Sequence, residues 1–340
     1  MIAKVFYAGL LALLAAAPAV AVAEPLSIEK QGSFFIGGHD VKSDTLSTLP
    51  AYAPSGTITV GQMYVRYQIP AGASHTPVTL IHGCCLTGKT WETTPDGRMG
   101  WDEYFVRQGF PTYVVDQVAR GRSATDPSTF NSVKLGKTPP DQIPPIFSAG
   151  HEAAWAIFRF GPEYPKVFDG MQFPLETQGE FWKQMVSDWN ATFPTPNPTV
   201  PALSELAIKL KGTILISHSA SGIYPFQTAA LNTQDIAGIV SIEPGGCPAA
   251  DGDLKPYMQI PILVLWGDYV DLAPRWAPRL KQCRAFAEAM KKAGGKTELV
   301  VLPEIGVKGN SHMLMQDRNS LEIAAWLVGW LNKNVEAKKN

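Results

Sequence analysis

The sequence predicts an α/β fold, with a mostly parallel central sheet flanked by helices, and three observations predict it. Short apolar runs rich in β-branched residues recur without alternation, as on strands that are covered on both faces. Segments of helix length lie between these runs, with apolar residues three and four positions apart. One long segment, residues 120–201, breaks this alternation and is rich in proline and aromatic residues, which indicates an insertion.

The chain begins with a segment that has the features of a secretory signal peptide. Within Met1–Ala23 a single lysine precedes the apolar run Val5–Ala17, and the small residues Ala21 and Ala23 occupy the positions that a signal peptidase requires. We therefore expect cleavage, rather than a membrane anchor, to leave residues 24–340. Since no later apolar run reaches the ~18 residues of a membrane-crossing helix, we expect a soluble periplasmic or secreted protein without a stable membrane anchor.

Composition and charge exclude several classes of protein. Lysine and arginine number 29 against 30 aspartates and glutamates, so the chain lacks the positive excess typical of nucleic-acid binders. Hydrophobic residues make up 45%, enough for the core of one large domain with an insertion. A phosphate-binding glycine loop, a dinucleotide fingerprint and a metal-ligand spacing are all missing, so we predict no cofactor and no metal. The oligomeric state stays open, a homodimer included.

The strands are predicted in chain order. Ser33–Ile36 and Gly61–Ile69 come first, and the second alternates apolar and polar residues as a half-buried antiparallel strand does. Buried strands of the parallel type follow at Val78–Ile81, Tyr113–Val115, Thr213–Ile216, Ile239–Ile242, Ile262–Leu265 and Leu299–Leu302.

Helices are predicted in the body and in the insertion. Those of the body are Ala202–Leu210, Gly222–Leu231, Trp276–Lys292 and Leu321–Asn332. A structureless insertion of this length is uncommon in a compact domain, so we interpret residues 120–201 as an inserted cap with helices around His151–Phe160 and Gln178–Asn190. Its aromatic residues, together with Trp91, either form an apolar substrate pocket or only pack the cap onto the body.

A nucleophile motif follows the strand Thr213–Ile216. The segment Ser217-His218-Ser219-Ala220-Ser221-Gly222 places a serine between small residues, at a turn from strand to helix, as in the nucleophile elbow of α/β-hydrolases. The tight turn leaves no room for large flanking side chains. We predict Ser219 as the nucleophile. The alternatives are a serine-rich helix N-cap and Ser221, which a helical start would turn away.

The strand Val78–Ile81 leads into His82-Gly83-Cys84-Cys85. In α/β-hydrolases a loop at this place supplies one backbone N–H group to the oxyanion hole, and the residue after the nucleophile supplies the other. We therefore predict that the N–H groups of Cys84 and Ala220 form the oxyanion hole.

The adjacent Cys84 and Cys85 have three explanations: a catalytic thiol, metal ligands or a bridge between neighbours. Metal is the weakest, because a zinc site normally takes four ligands at recognisable spacing. Our hypothesis is the bridge, which would leave Cys247 and Cys283 to pair. Four cysteines allow three pairings, and sequence alone does not choose among them.

The order serine, acid, histidine of this fold indicates the other two catalytic residues. Among six histidines, His312 alone follows the last predicted strand and precedes the last helix, so we predict it as the base. Glu243 ends the strand Ile239–Ile242 at a Pro-Gly-Gly bend. We rank it as the acid above Asp268 and Asp271, which follow the next strand.

With these motifs in place, the chain resembles the secreted bacterial α/β-hydrolases of the esterase 713 type. The segment 82–97, which contains the adjacent cysteines, is especially similar, and the resemblance spans nearly the whole mature chain. It implies an α/β-hydrolase fold and a Ser/His/Glu triad that hydrolyses carboxylic esters. Carried over by position, it implies the triad Ser219, Glu243 and His312, and the disulfides Cys84–Cys85 and Cys247–Cys283.

The expected function is that of a secreted serine carboxylesterase, which acts on a small-molecule ester through an acyl-enzyme. One alternative is a lactonase or amidase that uses the same triad, and another is a non-catalytic binding protein on the same scaffold. Arg120 and Arg122 lie near the predicted site and could bind a substrate carboxylate. An ion pair that fixes the loop is an equal explanation for Arg120, so both stay outside the predicted catalytic set.

Overall fold

The computed structural model describes residues 24–189, 193 and 197–335, and in these residues eight strands form one sheet. The predicted leader Met1–Ala23 lies outside the described residues. The strands are β1 (Ile28–Ser43), β2 (Gly56–Pro70), β3 (Val78–Ile81), β4 (Thr112–Asp116), β5 (Thr213–His218), β6 (Ile236–Ile242), β7 (Ile262–Trp266) and β8 (Thr297–Val301).

The order of the strands across the sheet is β1-β2-β4-β3-β5-β6-β7-β8. Strand β2 pairs antiparallel with β1 and with β4, and the other neighbours pair parallel, which confirms the predicted mostly parallel sheet. Strand β1 is much longer than the predicted Ser33–Ile36. It lies at the edge of the sheet with mostly exposed side chains, so burial imposes little apolar pattern on its sequence.

Helices flank the sheet, and the four helices predicted in the body are present with shifted ends. Ser219–Ile223 forms a short 3₁₀ helix, so the helix after β5 begins at Tyr224. The α-helices are α1 (Trp101–Arg107), α2 (Ser128–Lys134), α3 (His151–Ile157), α4 (Gln178–Lys183), α5 (Thr199–Leu210), α6 (Tyr224–Leu231), α7 (Ala277–Lys292) and α8 (Ser320–Asn334). None of the helices in the described residues has the length and apolar character needed to cross a bilayer.

The segment between β4 and β5 contains α2, α3, α4 and α5. Helix α4 ends at Lys183, earlier than the predicted Asn190, and Asn190 lies outside the described residues. The aromatic rings of this segment pack on one another: the Phe160 centroid lies 4.3 Å from that of Phe173 and 5.5 Å from that of Phe181. All three rings are buried and belong to the same hydrophobic cluster as the buried residues of the sheet.

Strands β3, β5 and β6 bring three loops to one edge of the sheet. They are parallel neighbours, with Ile81 paired to Ser217 and His218 paired to Ile242, so their carboxyl ends lie side by side. The loops that follow them begin with residues 82, 219 and 243. Ligands of open α/β sheets bind at this edge.

Candidate active site

The structure brings Ser219, His312 and Glu243 into one hydrogen-bonded line. His312 Nε2 lies 2.8 Å from Ser219 Oγ, and His312 Nδ1 lies 2.9 Å from Glu243 Oε2. Ser219 and Glu243 follow neighbouring parallel strands, and His312 comes from the loop between β8 and α8. This arrangement can move a proton from the serine hydroxyl to the imidazole while a carboxylate faces the other ring nitrogen.

The turn at Ser219 is strained, as expected for the predicted nucleophile elbow. Ser219 has a φ of +58°, in the left-handed region that costs a non-glycine residue about 1–3 kcal/mol. Gly222 lets the turn pack closely, because a Cβ atom there would lie 2.4 Å from Cβ of Pro244. The strain is compensated by the surrounding packing and holds the hydroxyl at the end of β5.

The two residues predicted to form the oxyanion hole, Cys84 and Ala220, lie beside Ser219. Ala220 is the second residue of the 3₁₀ helix, so its N–H has no partner within that helix. Cys84 and Ala220 line the same cavity as Ser219. The loop that contains Cys84 packs closely against Ser219, because a Cβ atom on Gly83 would lie only 2.8 Å from Ser219 Cβ.

The segment between β4 and β5 contacts the loop of Cys84 and Cys85. Cys85 donates its N–H to Asp188 Oδ2 at 3.0 Å and accepts from the N–H of Val186 at 2.8 Å. Asp188 also forms a buried ion pair with Arg120, at 2.6 Å. Arg122 pairs with Asp116 at 2.7 Å. Both arginines therefore fix loops around the site through ion pairs.

The cysteines form one bonded pair and one unbonded pair in the structure. Cys247 and Cys283 are joined by a disulfide. The sulfur atoms of Cys84 and Cys85 lie 3.0 Å apart as two thiols, so the bridge between them stays a prediction. The donor atoms of Cys84, Cys85 and Asp188 lie within 4.8 Å of one another. They fit a metal poorly, since Arg120 already neutralises the carboxylate and the set offers three ligands.

Arg159 is a buried partner of Glu243 that sequence reasoning missed. Its Nη1 and Nη2 atoms lie 2.5 Å from Oε2 and Oε1 of Glu243. The N–H of Gly267 donates to Oε1 at 2.5 Å. Burial alone would raise the pKa of Glu243, but the charge and hydrogen bonds of Arg159, with those of His312, outweigh it and lower the pKa to about 2. Glu243 is therefore ionised at neutral pH.

His312, the predicted base, is buried and contacts neighbours on several sides. Burial lowers the pKa of His312 to about 4, although the hydrogen bond and charge of Glu243 oppose this shift. His218 Nε2 lies 2.8 Å from the carbonyl oxygen of His312 and donates to it. The N–H of His312 donates to the carbonyl of Phe158 at 2.9 Å. The Trp276 ring centroid lies 4.1 Å from that of His312.

Asp268 and Asp271, the lower-ranked candidates for the acid, occupy other places. The carboxylate of Asp268 accepts the N–H groups of Gly309, at 2.8 Å, and of Tyr269, at 2.7 Å. It thereby braces the loop that carries His312. Asp271 is exposed. In the part of the chain that the structure describes, Glu243 is the carboxylate hydrogen-bonded to His312.

A cavity of about 620 Å³ opens beside Ser219. Phe147, Ile157 and Ile223 give it apolar walls, and Trp276 forms a wall next to His312. Trp91 is fully buried with its ring centroid 5.9 Å from that of Trp101, so it packs the core and does not line the cavity.

Comparisons with known proteins find similar chains among esterases and lipases. No family model matches the sequence. A bacterial esterase of known atomic-resolution structure is 62% identical, and the match covers 93% of this chain and 99% of that chain with a TM-score of 0.91. A probable secreted lipase of a fungal species is 26% identical over 328 residues, which is 80% of this chain and 86% of the lipase. A CIB-like hydrolase of Thermoplasma acidophilum shares 13% identity over 88% of this chain and 99% of its own, with a TM-score of 0.43.

Proposed function

The chain belongs to the α/β-hydrolase family of bacterial esterases, and from that premise we propose that it hydrolyses carboxylic esters through an acyl-enzyme on Ser219. The observation that carries the assignment of the nucleophile is the 2.8 Å contact between Ser219 Oγ and His312 Nε2. Ser219, Glu243 and His312 also follow one another along the chain in the order serine, acid, histidine that is typical of α/β-hydrolases.

In the proposed first step, neutral His312 takes the proton of Ser219 while the serine oxygen attacks the ester carbonyl carbon. The N–H groups of Cys84 and Ala220 bind the oxyanion that forms, and each such donor is worth about 2.7–4 kcal/mol of transition-state stabilisation. The ionised Glu243 stabilises the imidazolium. Collapse of the tetrahedral intermediate expels the alcohol, which takes the proton from His312.

The second half repeats this chemistry with water in place of the serine hydroxyl. His312 removes a proton from water, which attacks the acyl carbon, and Ser219 leaves with that proton as the carboxylic acid is released. A low pKa of the base supports this role, because the imidazole is neutral and able to accept a proton at neutral pH.

The test is the stoichiometry of a rapid burst. With 4-nitrophenyl acetate, purified protein should release one 4-nitrophenolate per chain before the steady state, and Ser219→Ala should abolish both burst and turnover. Ser221→Ala is the matched control, since its hydroxyl donates to the carbonyl oxygens of Ile81 and His218 and does not contact His312; it should keep the burst. Full turnover in Ser219→Ala would overturn the assignment. If the wild-type protein hydrolyses no ester, assays with a lactone and an anilide separate a lactonase or amidase from a non-catalytic binding protein.

We also propose that the chain is exported and matures at residue 24. The disulfide Cys247–Cys283 supports export, because such bonds persist in oxidising compartments. So does the similarity to a protein described as a probable secreted lipase. Mass spectrometry of the protein from periplasmic and culture fractions should find an N-terminus at Glu24; an intact Met1–Ala23 on the exported protein would contradict cleavage.

A further inference from the structure

Two arginines line the cavity that contains the nucleophile. Arg275 and Arg279 lie in its wall together with Ser219 and Ala220. Arg279 is half-buried and donates from Nε to the carbonyl oxygen of Gly245 at 2.8 Å. The N–H of Gly245 in turn donates to the carbonyl oxygen of Ser219 at 2.7 Å. The guanidinium of Arg279 is therefore connected to the nucleophile through a single intervening residue.

Both guanidinium groups pack on one aromatic ring of the site. The Cζ atom of Arg279 lies 5.1 Å from the Trp276 ring centroid, and that of Arg275 lies 5.8 Å from it. Trp276 is itself fixed, because its Nε1 donates to the carbonyl of Ile157 at 2.9 Å. The same ring packs against His312. Cation–π contacts with a fixed ring hold the two charges close to the reacting groups.

Neither charge is neutralised by a carboxylate of the described residues. Neither Arg275 nor Arg279 forms an ion pair with a carboxylate in the part of the chain that the structure describes. Asp188 is the acidic residue of the cavity lining, and Arg120 already pairs with it. Burial, and then the charge of Arg275, lower the pKa of Arg279, so the two cations repel one another. A bound anion would relieve this repulsion.

We infer that the cavity selects esters that carry a carboxylate on the acyl or the alcohol part, bound by Arg275 and Arg279. A guanidinium donates two parallel hydrogen bonds to a carboxylate, which gives orientation as well as attraction. The apolar walls formed by Phe147, Ile157 and Ile223 suit a hydrocarbon spacer between the ester and the anion. Substrates of this class include monoesters of dicarboxylic acids. The inference rests on the proposed esterase function.

The test compares matched pairs of substrates that differ by one charge. For the acyl side, mono-(4-nitrophenyl) adipate is compared with 4-nitrophenyl hexanoate, which has the same leaving group. For the alcohol side, 4-(2-carboxyethyl)phenyl acetate is compared with 4-propylphenyl acetate. In at least one pair, kcat/KM should favour the anionic ester by about tenfold or more, the effect of one charge-assisted hydrogen bond. Salt at ~1 M should reduce this ratio, since it shortens the screening length to ~3 Å.

Variants then assign the preference to the two arginines. Arg275→Gln should lower the anionic-to-neutral ratio about tenfold, whereas Arg275→Lys, which keeps the charge, should retain most of it. The side chain of Arg275 donates no hydrogen bond to another described residue, so its loss should not disturb folding. Arg279→Gln is the companion variant. Arg284→Gln is the matched control, because Arg284 lies on the same helix and pairs with Glu304 at the surface.

The outcomes separate this inference from the function on which it rests. Neutral esters hydrolysed as fast as anionic ones in both pairs, with activity that depends on Ser219, would overturn the anion site and leave the esterase intact. A preference that survives the double variant Arg275→Gln/Arg279→Gln would also overturn it. If no ester of either pair is hydrolysed, the proposed function itself fails.

Discussion

The guanidinium of Arg159 donates hydrogen bonds to both carboxylate oxygens of Glu243, from Nη1 to Oε2 and from Nη2 to Oε1, each at 2.5 Å. Both side chains are fully buried. Arg159 follows α3 in the inserted segment and has a φ of +56°, whereas Glu243 follows β6 in the body and has a φ of +51°. The insertion therefore supplies the positive charge that keeps the acid of the candidate triad ionised inside the protein.

We expect Arg159→Gln to destabilise the fold and to alter the base. Removal of one partner leaves a buried uncompensated carboxylate, which costs about 3–5 kcal/mol of unfolding free energy. The charge of Arg159 also lowers the pKa of His312. Loss of this charge should therefore shift the acid limb of the kcat/KM profile to higher pH. Chemical denaturation and a pH series would measure the two effects.

Two controls make the Arg159 experiment specific. Arg159→Lys keeps the charge without the paired hydrogen bonds, so it should keep the acid limb near its original position. Arg107→Gln removes a partly exposed pair with Glu103, and we expect a loss of about 0–1 kcal/mol. If Arg159→Gln lowered the free energy of unfolding no more than Arg107→Gln and left the acid limb of kcat/KM unchanged, Arg159 would have no positioning role.

The pH dependence of the wild-type reaction should report the burial of the base. A general base must be neutral, and burial lowers the pKa of His312 to about 4. Activity should therefore be lost as pH falls through about 4, well below the ordinary histidine range. Glu243, with its pKa lowered to about 2, stays ionised across this window. An acid limb of kcat/KM at pH 6.5 or above would contradict this environment of His312.

The elements with a strong local signal could be predicted from sequence, and those set by distant contacts could not. Strand β5 and the turn at Ser219 are adjacent in the chain, and the steric need for small residues there is visible in the sequence. The burial of Arg159 against Glu243 depends on how the insertion packs, because the two residues are 84 positions apart. The apolar neighbours Phe158 and Phe160 indicate that Arg159 is buried, but nothing in that local pattern identifies Glu243 as its partner.

The arginines of the cavity illustrate the same limit. Arg120 and Arg122 stood out because they follow a predicted strand, yet both are engaged by carboxylates in the structure. Arg275 lies just before α7 and Arg279 lies in its first turn, and in the sequence both look like ordinary charges of an amphipathic helix. Their exposure to the nucleophile's cavity follows from the position of Trp276 beside His312, which only the tertiary structure establishes.

A methyl group at Gly83 should separate the oxyanion loop from the nucleophile. The Cβ atom of Gly83→Ala would lie 2.8 Å from Ser219 Cβ and 2.9 Å from His218 Nδ1, so the loop must shift. Loss of one oxyanion donor lowers kcat by about 10²–10³-fold, and we expect an effect of this size. Gly179→Ala is the control, because nothing lies within 4 Å of its added Cβ atom on α4. Near-normal kcat in Gly83→Ala would contradict the role of this loop.

Substitution of the pair Cys247 and Cys283 should lower stability, whereas substitution of the pair Cys84 and Cys85 should lower kcat. Cys247 and Cys283 are 36 positions apart, and a crosslink over a loop of this length stabilises by about 4 kcal/mol in the chain-entropy model. The double variant Cys247→Ala/Cys283→Ala should lose unfolding free energy of that order. A disulfide between the neighbours Cys84 and Cys85 encloses almost no chain, so the double variant Cys84→Ser/Cys85→Ser should change the free energy of unfolding little. It should lower kcat, because the backbone N–H of Cys84 would be less rigidly positioned. The number of disulfides is first determined by intact-mass measurement without reductant. A free thiol at Cys84 in the exported protein would contradict the predicted Cys84–Cys85 disulfide.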